Sequence, residues 1–145
     1  MSADIYHRRI LEEARTATGA GRLDAPDVVV EQDNPLCGDR IRLELALADG
    51  RVRELAQTTR GCLLARAAAS LLARAAPGRP LSELAELQGR IAAWLAGEGP
   101  MPRDVPDLDI FEPARAVKSR HECVLLPFAA VREAARRAGG AGERR

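Results

Sequence analysis

The chain has 145 residues, 46% apolar and 30% charged, and 22 Lys plus Arg against 21 Asp plus Glu leave a formal net charge of +1. Such a chain is one folded domain, not a disordered segment, and it lacks the basic excess of a dedicated nucleic-acid binder. No apolar run approaches the ~20 residues that span a bilayer, and 3% aromatic residues leave little for base stacking.

Ile10, Leu11 and Ala14 recur at helical spacing between charged residues, which predicts an amphipathic helix over 5–18 that ends at Gly19–Gly21. Val28, Val29 and Val30 form a β-branched run read as a strand, with Asn34-Pro35 as its stop. From Arg40 to Ala48 the chain alternates. Ile41, Leu43, Leu45 and Leu47 share one face; Arg40, Arg42 and Glu44 share the other. Asp49-Gly50 is a hairpin turn, and Arg51 to Thr59 is the return strand. A strict two-residue turn, continued in register, would set Glu54 on the face of Leu45. A one-residue bulge after Gly50 sets Leu55 there instead, and is expected.

Beyond Gly61 the period becomes helical. Leu64, Ala68, Leu71, Leu72 and Ala75 line one face, and Pro77-Gly78 ends the helix. Ser82 is read as the cap of a next helix with Leu84, Leu87, Ile91, Trp94 and Leu95 as its apolar stripe. Residues 97–106 read as an irregular connection, and Leu108 to Val117 as a helical turn interrupted by Pro113. The last helix is expected from Cys123 or Val124 to Ala138, with Pro127 in its first turn, where a missing N–H is tolerated. The expected fold is α+β: a small antiparallel sheet of about three strands with helices packed on one face, formed by residues 1–138 and followed by a flexible tail over 139–145.

Three cysteines, Cys37, Cys62 and Cys123, are an odd set. The opening Met1-Ser2-Ala3-Asp4-Ile5 lacks a basic segment followed by an apolar one, so reduced thiols in a cytoplasm are expected, with no membrane association. The hairpin register, extended to its open end, sets Cys37 opposite Cys62. Asp39 lies two residues from Cys37 across Gly38, whose freedom allows a tight turn that converges thiol and carboxylate. Cys62 and Cys123 each open a helix, where anions are favoured, and are expected as thiolates. Three thiolates and one carboxylate suit tetrahedral zinc, or an iron–sulfur cluster with one oxygen ligand. The alternative is three ordinary thiols near a core.

The same residues carry a family resemblance. Asn34-Pro35-Leu36-Cys37-Gly38-Asp39 resembles the N-P-x-C-G-D signature of the IscU/SufU/NifU N-terminal family of iron–sulfur cluster assembly proteins. Arg60-Gly61-Cys62, followed by an alanine-rich helix, resembles its second element. Arg120-His121-Glu122-Cys123-Val124-Leu125-Leu126-Pro127-Phe128 resembles its third, R-x-x-C-x-x-L-P-W in SufU-like members. The stretch from Cys62 to Cys123 is long, a Leu-Pro-Pro-Val-Lys motif is absent, and Glu122 directly precedes Cys123, as in the SufU-like branch. The chain departs from the pattern where Leu63 to Ser70 replaces a serine-rich helix start, and where Thr58 and Thr59 replace bulkier residues.

The resemblance implies a SufE/NifU-like fold and zinc held by Cys37, Asp39, Cys62 and Cys123. It implies a sulfurtransferase activity in which Cys37 accepts persulfide sulfur from a SufS-type cysteine desulfurase and passes it to a downstream Suf scaffold or apo iron–sulfur protein. Arg120 matches an arginine that lies near the site. The alternative role is a scaffold that assembles a [2Fe–2S] cluster on the same residues. Arg120 is read as orienting Asp39 or stabilising a persulfide anion, or as plain surface. His121 is read as an exposed loop residue, with an alternate ligand as the other option. His7 is read as surface and Trp94 as core. The Arg-rich stretch Arg132 to Arg145 is read as a solvated helix end.

Overall fold

The computed structural model describes residues 6–143. A three-stranded antiparallel sheet, β1 (Val28–Asn34), β2 (Asp39–Ala48) and β3 (Arg51–Arg60), lies in the order β1-β2-β3. Helices α1 (Arg8–Thr16), α2 (Leu63–Ala75), α3 (Leu81–Leu84), α4 (Leu87–Leu95) and α5 (His121–Glu143) complete it. The fold is α+β. Ile41, Leu43 and Leu45 are buried with Val30, Leu64, Leu71, Val124, Phe128 and Val131 in one core, so the helical layer covers the apolar face that the alternation marks.

The sheet extends further than its β-branched run. β1 continues through Glu31, Gln32 and Asp33 to Asn34 and stops before Pro35. Its polar half is held across the strand by charge: Glu31 binds Arg40, and also Arg42 at 3.2 Å. Leu45 pairs with Leu55 as expected, but the extra residue is not at the turn. Asp49 (φ 53) and Gly50 (φ 75) form a tight two-residue turn, so Ala48 pairs with Arg51 and Leu47 with Val52. The register shifts only afterwards, with Arg53 as the inserted residue and Ala46 opposite Glu54. The reason is a competing partner. Val52 donates its N–H to the Arg79 carbonyl (3.0 Å) and accepts from Gly78 N (2.7 Å) at its own carbonyl.

The outer face is partly covered too. Glu44, expected to face solvent, is only 2% exposed. The chain after α1 crosses over it, and its carboxylate accepts from Leu23 N (2.9 Å) and Arg42 Nε (2.9 Å).

α2 is alanine-rich, and Ala65, Ala67, Ala68 and Ala69 are buried, which lets neighbouring backbones come close. Its one buried hydroxyl is used twice. Ser70 Oγ donates to Glu13 Oε2 (2.5 Å) and accepts from Thr18 N (2.9 Å), tying α2 to the end of α1. Ser70→Ala leaves a backbone N–H and a carboxylate short of a partner. It is expected to cost about 1–3 kcal/mol in urea unfolding, with no change in metal binding.

Several local readings change. α1 spans Arg8–Thr16 and closes on left-handed Ala17 (φ 47). His7 is not a free surface residue: it caps α1, accepting from Arg9 N (3.2 Å), and its Nε2 lies 2.7 Å from the Ile110 carbonyl. Ser82 caps nothing. Pro80 holds the cap position of α3, and Ser82 is an exposed residue inside that short helix, whose Leu81 N is tied to the Gly50 carbonyl (2.9 Å). The stripe of Leu84, Leu87, Ile91, Trp94 and Leu95 is buried, divided between α3 and α4. Arg115 stacks 5.2 Å from the Trp94 ring. The connection before α5 is ordered as 3-10 helix over Leu108–Ala116, with Pro113 inside it and Leu108, Ile110 and Phe111 buried.

A second 3-10 turn, Lys118–Arg120, runs directly into α5, which therefore starts at His121. Cys123 is its third residue, and Pro127 falls in the second turn instead of the first. The helix also passes the expected end at Ala138 and reaches Glu143. Among the described residues no helix is long and apolar enough to cross a membrane.

Candidate metal centre

Three elements deliver the site. The turn between β1 and β2 presents Cys37, and the first residue of β2 is Asp39. Gly38 takes φ 75 in that turn, a conformation open to glycine without a steric penalty. The other edge comes from the end of β3: Arg60 pairs with Arg40, and the chain turns at Gly61 so that Cys62 stands at the N-cap of α2. The third comes from the first turn of α5, where Cys123 is fully buried.

The carboxylate is the hub. Cys37 Sγ donates to Asp39 Oδ2 at 3.0 Å, and Cys62 Sγ to the same oxygen at 3.3 Å. The Cys62 backbone N–H donates to Oδ1 at 2.9 Å. Cys37 Sγ and Cys123 Sγ are 3.3 Å apart. Cys37, Asp39 and Cys123 each offer one ligand atom, all within 4.8 Å of one another. Cys62 stands beside this group, joined to it through Asp39. Exposure is graded: Cys37 is exposed, Cys62 half-buried and Cys123 buried.

Electrostatics within the metal-free cluster oppose the expected thiolates. Burial pushes the Cys62 thiol above its ordinary value, and Asp39 adds to this. The Ala65 N–H, the favourable helix-terminus contact, opposes both and loses. Burial likewise raises Cys123, with Cys37, Cys62 and Asp39 adding to it. Helix N-termini alone do not make these sulfurs anionic. Asp39 goes the other way. Burial would raise it, but hydrogen bonds from Cys37, the Cys62 N–H, and the Cys62 and Cys123 thiols outweigh burial and hold it below the usual carboxylate range.

The donor set fits zinc. Thiolates with one carboxylate are borderline-soft, and zinc–ligand bonds of about 2.0–2.3 Å require ligand atoms spaced on the scale found here. An ion held here would replace the thiol protons that now bridge these atoms.

The other candidates separate. Arg120 is half-buried beside the cluster; Tyr6 first, then the Cys123 sulfur, raise its guanidinium still higher. His121 is not a free loop residue. It begins α5, and its Nε2 lies 3.0 Å from the Arg115 carbonyl.

Asn34, the stop of the first strand and the first residue of the Asn-Pro-x-Cys-Gly-Asp signature, also reaches the site: its Nδ2 lies 2.9 Å from Cys37 Sγ. Neither its place in that signature nor its place before Pro35 in a turn ties its side chain to the sulfur. Next to it, a hollow of about 330 Å³ is lined by Pro35, Leu36, Glu122, Leu125 and Leu126, among others. Leu36, beside Cys37, is 87% exposed.

The chain is similar to known proteins over most of its length. The family model described as NifU-like N terminal domain matches residues 5–119, a span that contains Cys37, Asp39 and Cys62 and ends before Cys123. A crystal structure of a nitrogen-fixing NifU-like protein (N-terminal) from Brucella abortus is similar, with a TM-score of 0.88 and 34% identity, covering 94% of this chain and 95% of that one. The iron-sulfur cluster assembly scaffold protein IscU of Thermotoga maritima is 27% identical over 130 residues, 90% of this chain and 92% of its own length. The zinc-dependent sulfurtransferase SufU of Bacillus subtilis is 25% identical over 128 residues, 88% of this chain and 86% of its own.

Proposed function

The chain belongs to the NifU-like N-terminal domain family, and on that premise we propose that it serves iron–sulfur cluster assembly as a sulfur-transfer protein. Cys37 accepts persulfide sulfur from a SufS-type cysteine desulfurase, and a downstream Suf scaffold or apo iron–sulfur protein receives it. The protein acts in the cytoplasm, where such thiols stay reduced. The supporting observation is the graded exposure: of the three clustered thiols Cys37 is the exposed one, with Cys62 half-buried and Cys123 buried, so Cys37 is the most open to a sulfur carried by another protein.

Cys37, Asp39, Cys62 and Cys123 would hold zinc, which when bound keeps the thiols deprotonated at neutral pH. The carboxylate is the weakest of these ligands, and a displaceable oxygen leaves room for Cys37 to move. Cys37 Sγ attacks the outer sulfur of the donor persulfide. The bond from that sulfur to the donor cysteine breaks, a new S–S bond forms on Cys37, and the donor cysteine leaves as a thiolate. Because Cys37 attacks as the thiolate, its negative charge passes to the donor cysteine, which takes any proton from solvent, and nothing is oxidised or reduced overall. Arg120, beside the buried sulfurs, stabilises the anion on the loaded site.

Mixing the metal-loaded protein with its cognate desulfurase and cysteine tests this reading. Desulfurase turnover is expected to rise well above that of the enzyme alone, and unchanged turnover contradicts sulfur acceptance. The relatives named as scaffolds favour a second reading, assembly of a [2Fe–2S] cluster on the same residues. Anaerobic reconstitution that yields a stable chromophore, handed intact to an apoprotein, would favour it.

A separate prediction follows from the buried thiols. Both Cys62 and Cys123 hold their protons at pH 7 in the metal-free state, so zinc uptake must release protons. Affinity therefore rises with pH and falls in acid. Titration calorimetry in two buffers of different ionisation heat is expected to show release of about two protons or more per ion.

A further inference from the structure

We infer that Asn34 is a positioning residue whose carboxamide N–H holds the Cys37 sulfur at the mouth of the site, before and after it takes up sulfur. The inference rests on the reading of Cys37 as the sulfur acceptor.

Asn34 ends β1 and is only 6% exposed. Its carbonyl accepts from Gly38 N (2.8 Å) and Cys37 N (3.3 Å), so the whole Cys37 turn is built on it. The two ends of its side chain do different work. Oδ1 accepts from the Leu36 N–H at 3.2 Å. That contact fixes the amide orientation, because a backbone N–H can face only the oxygen. Nδ2 is therefore the atom that meets Cys37 Sγ, at 2.9 Å.

The turn alone does not need that nitrogen. Asp in the same place would accept from Leu36 N–H equally well, as Asx turns do. What the carboxamide adds is a neutral donor aimed at sulfur. The other close neighbours of this sulfur are the Asp39 carboxylate and the Cys123 thiol. Asp39 repels a sulfur that carries negative charge, and Asn34 supplies the opposing attraction without adding charge of its own. A hydrogen bond to an ionised group is about twice as strong as one between neutral groups, so this contact strengthens when Cys37 becomes a thiolate or persulfide.

The test uses the zinc-loaded protein and glutathione persulfide as sulfur donor, with mass spectrometry to follow one added sulfur on the Cys37 peptide. Wild type, Asn34→Asp and Asn34→Ala are compared, and loading rates are expressed per metal-bound molecule. Asn34→Asp keeps the acceptor for Leu36 N–H, so melting temperature and metal content are expected to stay near wild type. Its loading of Cys37 is expected to slow about tenfold or more. Asn34→Ala is expected to slow it as well, with some loss of stability; should that variant fail to fold, Asn34→Asp decides alone. A wild-type loading rate in Asn34→Asp overturns the role. A wild type that gains no sulfur on Cys37 overturns the sulfur-acceptor reading itself, which keeps the two failures apart.

Discussion

Gly61→Ala is expected to unfold the metal site and much of the domain with it. A Cβ placed on Gly61 would stand 2.0 Å from Asp39 Oδ1, 2.6 Å from its Cγ and 2.9 Å from its Cα. The Asp39 carboxylate cannot swing aside without breaking its bonds to the Cys62 N–H and to two thiols. The backbone adds a second penalty, because Gly61 has φ 135, a conformation that residues with a side chain rarely adopt. Strain of about 1–3 kcal/mol and overpacking of about 1–3 kcal/mol together remove roughly 2–6 kcal/mol. That is a large share of the stability of a small domain. Thermal melting and zinc stoichiometry of Gly61→Ala against wild type check this. A variant that melts near wild type and holds a full equivalent of zinc would show that Asp39 does not occupy the space against Gly61.

Cys37→Ser is expected to separate sulfur acceptance from folding. The residue is exposed, so its loss removes little packing. In the metal-free state its effect on stability is expected within about 0.5 kcal/mol. Stimulation of desulfurase turnover is expected to fall by about 100-fold or more, to the level of the desulfurase alone, because a hydroxyl does not replace a thiolate as nucleophile. Cys123→Ser is the contrasting case. That sulfur is fully buried against the core, so its replacement is expected to weaken metal retention and folding together. Equal behaviour of the two variants in both assays would contradict the division between an outer, reacting sulfur and an inner, holding one.

The sequence carried much of the layout because its pattern was written in burial. Ile41, Leu43 and Leu45 had to face one way, and only a bulged register could bring Leu55 to Leu45. That pairing sends both ends of the hairpin to one place, where Cys37 and Cys62 meet on the Asp39 carboxylate. The position of the bulge was not legible, because it is set by Gly78 and Arg79 binding Val52, a contact between distant segments of chain. The same holds for His7, whose partner is the carbonyl of Ile110.

Other differences come from local rules overridden by packing. Ser82 is a good cap by composition, but Pro80 and the tether of Leu81 to Gly50 start that helix first. Pro127 favours a first turn, yet a 3-10 turn feeds α5 two residues earlier than Cys123. The protonation of Cys62 and Cys123 depends on how deeply each thiol is buried and on the carboxylate beside it. Spacing along a chain shows neither. The contact of Asn34 with the Cys37 sulfur was not legible, because a turn explains an Asn before Pro without any reference to sulfur.

A crystal structure of the zinc-loaded protein with anomalous scattering recorded at the zinc edge bears most directly on the account. It is expected to give one peak at the mouth of the β2–β3 hairpin, bonded to the sulfurs of residues 37, 62 and 123 and to one oxygen of Asp39. A peak bound elsewhere, or one that leaves any of those three sulfurs outside bonding distance, would contradict it.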